Sequence, residues 1–302
     1  MISIIGSGRV GSAIAFLCAS ESLDDVTLLN RTRSKAIGEA MDISNAISPT
    51  SDIMIKGTDD YSDIRDSNLV VISASAANYQ KSRLDVIHEQ ASMINDIGKK
   101  IMKYCPSATI LMITNPLDVL TYVFQKNTQI PKNKVIGVAA SLDSSRFLYL
   151  LSTKLGIKRT KITNAIVIGE HGDSMVPVYS NIKIEGKNIS NLLNNQEKES
   201  ITNEVRTYWK SLRNYKSRSQ FGIAKNTYDI IKTITIDSIT EAPASVVLDG
   251  EYGLKNLAIG VPVKISKNGI EEIQDINLDE NESRLFKQSA KIIQTNISSL
   301  KK

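Results

Sequence analysis

Of the two histidines in 302 residues, one stands where a titrating imidazole could carry out proton transfer. His171 lies in Ile168-Gly-Glu-His-Gly-Asp-Ser-Met-Val-Pro177, after a strand-like run, and Gly169 and Gly172 give its backbone unusual freedom. An imidazole so placed suits general acid/base work near neutral pH. His88 sits mid-helix in Leu84-Asp-Val-Ile-His-Glu-Gln90, where a surface or structural role fits better. Asp143 and Arg146, in Ser141-Leu-Asp-Ser-Ser-Arg-Phe147, are one helical turn apart and so share a face. Arg83 follows the fourth strand-like run, on a loop that would overhang a sheet rim, and Asn115 ends another such run in Met112-Ile-Thr-Asn-Pro-Leu-Asp118. Singly, each has a plain structural reading: Asp143 as a helix cap, Asn115-Pro116 as a turn, the two arginines as solvated charge. Their joint occurrence in this order weighs against those readings.

A second chemistry-bearing segment opens the chain. Gly6-Ser7-Gly8-Arg9-Val10-Gly11 follows the first strand and starts a helix. The first glycine permits the tight turn, the second lets backbone approach a pyrophosphate, and the third lets helix pack on strand. The helix amides and dipole then face the phosphates of a dinucleotide. An acidic residue usually ends the second strand of this fingerprint, about 20 residues on, to bind ribose hydroxyls. Here that tip reads Leu28-Leu29-Asn30-Arg31-Thr32-Arg33. The carboxylate is missing and two guanidinium groups stand beside the gap, which favours a 2′-phosphate and so NADP, with NAD as the alternative. The competing reading is that Arg31 and Arg33 begin a surface helix.

The elements that must position these groups alternate through the first half. Strand-like runs at Ile2–Ile5, Val26–Leu29, Ile53–Lys56, Leu69–Ile72, Thr109–Ile113 and Val135–Val138 are separated by segments of helical period such as Val10–Ala19 and Leu84–Tyr104. Such alternation predicts an α/β fold with a doubly wound parallel sheet, whose carboxyl rim gathers ligands. From about residue 140 the pattern changes. Helices are predicted at Ser145–Leu155, Ile189–Leu212, Ile223–Ile234 and Glu280–Ile297, with strands at Ile162–Ile168, Ala244–Leu248 and Leu257–Ile265. Asn268-Gly269 signals a hairpin turn. We expect a dinucleotide-binding domain over 1–139 and an α+β substrate and catalytic domain over 140–302.

Composition is that of an ordinary globule, 41% hydrophobic and 23% charged. The longest apolar runs, such as Ala108–Ile113, are strand-length and argue against a membrane span. Met1 runs directly into the glycine turn, so no export leader is expected, and Cys18 and Cys105 are too few for a disulfide framework. The expected compartment is the reducing cytoplasm. Net charge is +5, but lysines and arginines are scattered or interleaved with apolar residues at helical spacing, unlike a nucleic-acid binder. The excess suits a small anionic substrate and cofactor.

Taken together, Gly6–Gly11, Ile113-Thr-Asn-Pro, Leu142-Asp-Ser-Ser-Arg-Phe, Gly169-Glu-His-Gly-Asp and Ile259-Gly-Val-Pro-Val resemble the lactate/malate dehydrogenase family, and the likeness runs from Met1 to about Ile297. The resemblance implies a Rossmann sheet, a nicotinamide cofactor and a 2-oxo/2-hydroxy acid substrate. It implies that His171 exchanges the proton, that Asp143 pairs with it, that Arg146 grips the substrate carboxylate, and that Arg83 polarises the reacting carbonyl. It places Asn115 against substrate and cofactor, Ile113 and Gln90 at the cofactor, and requires no metal. A homodimer or homotetramer follows from the same likeness and from amphipathic helices such as that containing Ser12–Leu17.

Departures from the family concentrate before Arg83. Ser73-Ala-Ser-Ala-Ala-Asn-Tyr-Gln-Lys-Ser82 lacks the expected Gly and Pro-Gly pair, and the specificity position falls near Ala77 or Asn78. It carries neither the arginine usual for malate enzymes nor the glutamine usual for lactate enzymes. Gln90 likewise stands where an Asn commonly contacts cofactor. Likeness to malate enzymes of the group, and a basic set of Lys81, Arg83 and Arg146 suited to a dianion, favour malate. An uncharged pocket around Asn78 would suit pyruvate or a longer 2-oxo acid. A catalytically silent dinucleotide-binding protein would have lost one of the polar groups, yet His171, Asp143, Arg146, Arg83 and Asn115 are all present.

Overall fold

Continuous apolar runs bury on both faces, which is the requirement of a parallel sheet covered by helices. In the computed structural model, which describes residues 1–76, 83–189 and 192–300 except for the side chains of 83–85, these runs form β1 (Ile2–Ile5), β2 (Val26–Leu29), β4 (Leu69–Ile72) and β5 (Thr109–Met112), each buried throughout. With β3 (Ile55–Thr58) and β6 (Val135–Gly137) they make the parallel order β3-β2-β1-β4-β5-β6. This is the doubly wound Rossmann arrangement, with ligand sites expected outside the strand carboxyl ends. β3 begins two residues later than the sequence pattern suggests. Its register against β2 pairs Val26 with Ile55 and Leu29 with Thr58, while the Asp25 carboxylate takes the Met54 N–H.

The helices of this half are α1 (Arg9–Ser20), α2 (Arg33–Ile47), α3 (Arg83–Tyr104) and α4 (Leu117–Thr128). Buried Gly11, Ile14, Ala15, Cys18 and Ala19 of α1 follow i, i+3, i+4, i+7, i+8 and lay one stripe on the sheet.

The second half continues the same sheet. β12 (Thr240–Asp249), β13 (Lys255–Ser266) and β14 (Gly269–Ile273) add antiparallel to the edge of β6, giving nine strands in the order β14-β13-β12-β6-β5-β4-β1-β2-β3. Ser245 of β12 pairs with Gly137 of β6, and a Cβ at residue 137 would lie 2.8 Å from the Ser245 Cβ, so the close approach requires glycine. The predicted hairpin turn is observed, with Gly269 at φ +95° joining β13 to β14.

Among the described residues four further α-helices follow: α5 (Ala140–Leu155), α6 (Asn195–Arg213), α7 (Phe221–Thr235) and α8 (Glu280–Ser299). α5 starts five residues before the predicted Ser145, which places Asp143 inside its first turn rather than at a cap. α6 starts later than the predicted Ile189, because Asn194 and Glu197 form a capping box. The single strand predicted at Ile162–Ile168 is two, β7 (Ile162–Thr163) and β8 (Ile166–Ile168), separated at Asn164, whose φ is +60°. β8 pairs with β9 (Val176–Val178), while β7 joins β10 (Lys183–Ile184) and β11 (Lys187–Asn188) in a small sheet. Among the described residues no helix is long and apolar enough to cross a membrane.

Candidate active site

α5 enters from β6 with Asp143 in its first turn and Arg146 one turn on. Both are buried, and Arg146 Nη1 donates to Asp143 Oδ1 at 2.9 Å. The other Asp143 oxygen, Oδ2, lies 2.6 Å from His171 Nδ1. One carboxylate thus holds both an imidazole and a guanidinium. With Nδ1 turned to Asp143, Nε2 is the nitrogen left for a reacting oxygen. Burial opposes charge on His171, but Asp143, by charge and hydrogen bond, and Asp118, by charge, outweigh it and raise its pKa above the ordinary value.

The turn carrying His171 is fastened on several sides. Gly169 exchanges main-chain hydrogen bonds with Gly260 of β13, at 2.9 and 3.1 Å, and the Glu170 N–H donates to Ser289 Oγ on α8. Arg206 of α6 donates twice to the Met175 carbonyl, and the Tyr208 ring lies 5.3 Å from the Arg146 guanidinium carbon. The His171 N–H donates to Asp118 Oδ2 at 2.7 Å, and the Ser245 hydroxyl donates to Asp118 Oδ1 at 2.6 Å. None of Asp118, Ser245, Arg206 or Tyr208 is marked by sequence reasoning. Asp118 stands within the Asn115 segment, three residues on, but its partner Ser245 is 127 residues away.

A cleft of about 990 Å³ runs along the sheet's carboxyl rim, lined among others by Gly6, Gly8, Arg9, Val10, Gly11, Asn30 and Arg31. Gly6 has φ +109°, and a Cβ there would come within 2.6 Å of the Ala74 main-chain nitrogen, so the turn is built for glycine. A Cβ at Gly8 would meet nothing within 4 Å. Gly8 is also the N-cap of α1, without a side-chain cap and with no acidic residue in the first turn. The helix's own cap and first turn therefore supply no anion to these amides, and the bare Gly8 surface fits a dinucleotide's phosphates.

Other predicted cofactor residues fall out differently. Ser7 is buried and its Oγ accepts from Asn30 Nδ2 at 3.0 Å, while Asn30 Oδ1 accepts the Thr32 N–H. Arg31 faces the cleft, but Arg33 opens α2 away from its lining and lies 3.9 Å from Asp59. Gln90 is buried with its amide committed to the segment after β4: Oε1 accepts the Ala76 N–H and Nε2 donates to Ser75 Oγ. It shapes the cleft wall instead of lining it. Ile113 is half-buried and Asn115 exposed beyond the end of β5. His88 is exposed on α3. Ala77, Asn78 and Lys81 lie outside the described residues, as does the side chain of Arg83, the first residue of α3.

The fold thus sets a glycine-turn cleft at the sheet rim and, on α5 and the turn after β8, a buried carboxylate joined to an imidazole and a guanidinium. Comparison with known proteins makes the class specific. Residues 1–137 match the lactate/malate dehydrogenase NAD binding domain, and residues 140–302 match the alpha/beta C-terminal domain of the same family. The chain is 35% identical over 302 residues to the malate dehydrogenase of Archaeoglobus fulgidus, spanning 99% of both chains. It is 34% identical to that of Aeropyrum pernix, over 99% of this chain and 98% of that one. Among solved structures it is similar to the malate dehydrogenase of Cryptosporidium parvum, at TM-score 0.93 and 33% identity over 99% and 98% of the two chains. It is similar too to the lactate dehydrogenase of that organism complexed with lactic acid and nicotinamide adenine dinucleotide, at TM-score 0.94 and 32% identity over 99% and 97%. The chain belongs to the lactate/malate dehydrogenase family.

Proposed function

We propose that the protein interconverts malate and oxaloacetate with a nicotinamide cofactor, NADP being preferred or used alongside NAD. The observation that carries this reading is the single Asp143 carboxylate holding His171 and Arg146 together, in a chain that also carries the glycine-turn cleft. A nicotinamide bound there supplies or accepts the hydride at the substrate's second carbon. His171 gives its proton to the carbonyl oxygen in reduction and takes it back in oxidation. Asp143 keeps the ring's tautomer and orientation, and the Arg146 N–H groups not used by Asp143 bind the substrate's 1-carboxylate. Arg83 polarises the carbonyl and Asn115 holds substrate against cofactor. Residues 1–139 hold the cofactor, residues 140–302 hold the proton carrier and carboxylate grip, and the molecule works in the cytoplasm as a homo-oligomer.

Malate is supported by the whole-length malate dehydrogenase relatives and by the basic set Lys81, Arg83 and Arg146. NADP is supported by Asn30, where a carboxylate would repel a 2′-phosphate, and by Arg31 facing the cleft. A second reading, a lactate-type dehydrogenase, draws on uncharged Asn78 and on the similar Cryptosporidium parvum enzyme. Steady-state turnover of oxaloacetate and pyruvate, each with NADPH and NADH, separates them. Oxaloacetate should lead; a higher kcat/KM for pyruvate would overturn the malate assignment, and inactivity on both would overturn the dehydrogenase reading.

A further inference from the structure

Asp118 is a carboxylate buried to 3% exposure, six residues beyond Met112 at the rim end of β5, with no place in the proton-transfer scheme above. Both its oxygens are engaged: the Ser245 hydroxyl donates to one at 2.6 Å, and the main-chain N–H of His171 donates to the other at 2.7 Å. A main-chain N–H and a serine hydroxyl could be satisfied equally by a neutral acceptor, so the charge is not needed for the hydrogen bonds. Burial of that charge works against the fold. It raises the Asp118 pKa to about 6, against the lowering influence of Ser245 and His171. A costly charge held against the acid/base residue asks for a function.

We propose that Asp118 is a positioning residue of the proton-transfer centre: from the first turn of α4 its carboxylate fixes the His171 main chain and adds a second negative charge that favours the imidazolium. The inference deepens the acid/base reading and rests on it. The charged groups that bear on His171 are Asp143 and Arg146 of α5 and Asp118 of α4, Arg146 acting against the other two. Those bearing on Asp118 are His171 and Glu170, while β12 presents the Ser245 hydroxyl to it. Asp143 orients the ring through Nδ1, whereas Asp118 holds the backbone from the other half of the chain. Two carboxylates thus divide the work of aim and anchorage.

The decisive variant is Asp118→Asn, which can keep both hydrogen bonds, its oxygen accepting from His171 and its amide donating to Ser245, while removing the charge. With only two histidines in the chain, ¹³C- or ¹⁵N-labelled imidazoles can be titrated by NMR, exposed His88 serving as internal reference. We expect the His171 pKa to fall by about half to one unit in Asp118→Asn, with His88 unmoved. The pH limb for oxaloacetate reduction should move down equally, and Tm at pH 7.5 should not fall, because a buried charge has been removed. Ser245→Ala, which strips one donor from the carboxylate, should move His171 the same way by less. If His171 keeps its pKa in both folded variants, or if Asp118→Asn merely lowers Tm and kcat at every pH alike, Asp118 is a structural residue and the proposal is overturned. Should Asp118→Asn fail to fold, Ser245→Ala alone decides by the same shift. The titration needs no turnover, so a chain inactive on 2-oxo acids would sink the assigned reaction without touching this result.

Discussion

Asp143 splits its two oxygens between an imidazole and a guanidinium, and on the proposed function the two partners should fail in different ways. Replacing His171 by Asn removes the titrating group but leaves the cleft untouched. Turnover should fall at least about a hundredfold, the scale of a lost acid/base, with cofactor affinity nearly intact; fluorescence titration of bound NAD(P)H beside stopped-flow rates checks both halves. In the unaltered enzyme the raised His171 pKa sets the sign of the pH response. Reduction needs the imidazolium and should decline as pH rises through that pKa, which lies above 6.5; oxidation needs the free base and should climb through the same window. The ion pair's stabilisation follows the same course: present below the unfolded histidine value and lost as pH passes the folded one. Arg146→Lys should raise KM for oxaloacetate about tenfold or more, since an ammonium cannot reproduce paired hydrogen bonds to a carboxylate while one arm rests on Asp143. An unchanged KM would remove Arg146 from the site. The Asp143/Arg146 pair was legible because helical geometry turns a spacing of three into a shared face. Asp118 was not, since nothing local marks a side chain whose partner lies in another half of the sequence.

The turn between β2 and α2 is the element on which the proposed preference for NADP rests. Asn30 is stapled between Ser7 and the Thr32 N–H, so its amide is held at the cleft wall, and Arg31 is the cation beside it. A charge-assisted hydrogen bond from Arg31 to a 2′-phosphate contributes about 1.5–3 kcal/mol, or about ten- to a hundredfold in preference. NADPH should therefore be used at least as well as NADH, and Asn30→Asp with Arg31→Ile should reverse the ratio. The measurement is kcat/KM with both cofactors at low salt; a tenfold preference of the unaltered enzyme for NADH would show that Arg31 serves no phosphate. Arg33 lies 3.9 Å from Asp59. The elements of the first half could be read from sequence because strands buried on both faces and helices with one apolar stripe leave distinct periods. The second half was harder for identifiable reasons. Asn164 breaks one apolar run with a left-handed residue, and a capping box at Asn194 overrides the apolar period that precedes it. Gln90, expected at the cofactor from its place in the sequence, is buried with its amide accepting the Ala76 N–H and donating to Ser75 Oγ.

Large apolar side chains remain on the outside of the molecule: Phe16 is 44% exposed on α1, Met41 68% on α2 and Phe221 68% on α7. Exposed apolar surface of this kind is commonly covered by another subunit. Light scattering at micromolar concentration should give the mass of a dimer or tetramer, and a monomeric mass of 33.2 kDa would refute the assembly.

The seam at Gly137 and Ser245 has a consequence for how the molecule comes apart. Because Ser245 of β12 pairs with Gly137 of β6 and also reaches Asp118 on α4, the two halves should unfold together. A fragment ending near residue 139 would bare the edge of β6, an open row of donors and acceptors ready to template aggregation. In native-state hydrogen exchange, the amides of β5, β6 and β12 should open together, with one denaturant dependence, as a single cooperative unit. Separate opening of the two halves would mean that the seam is a contact and not a weld. The Asp118 contacts to His171 and Ser245 should then be lost together with that unit, since they join both halves.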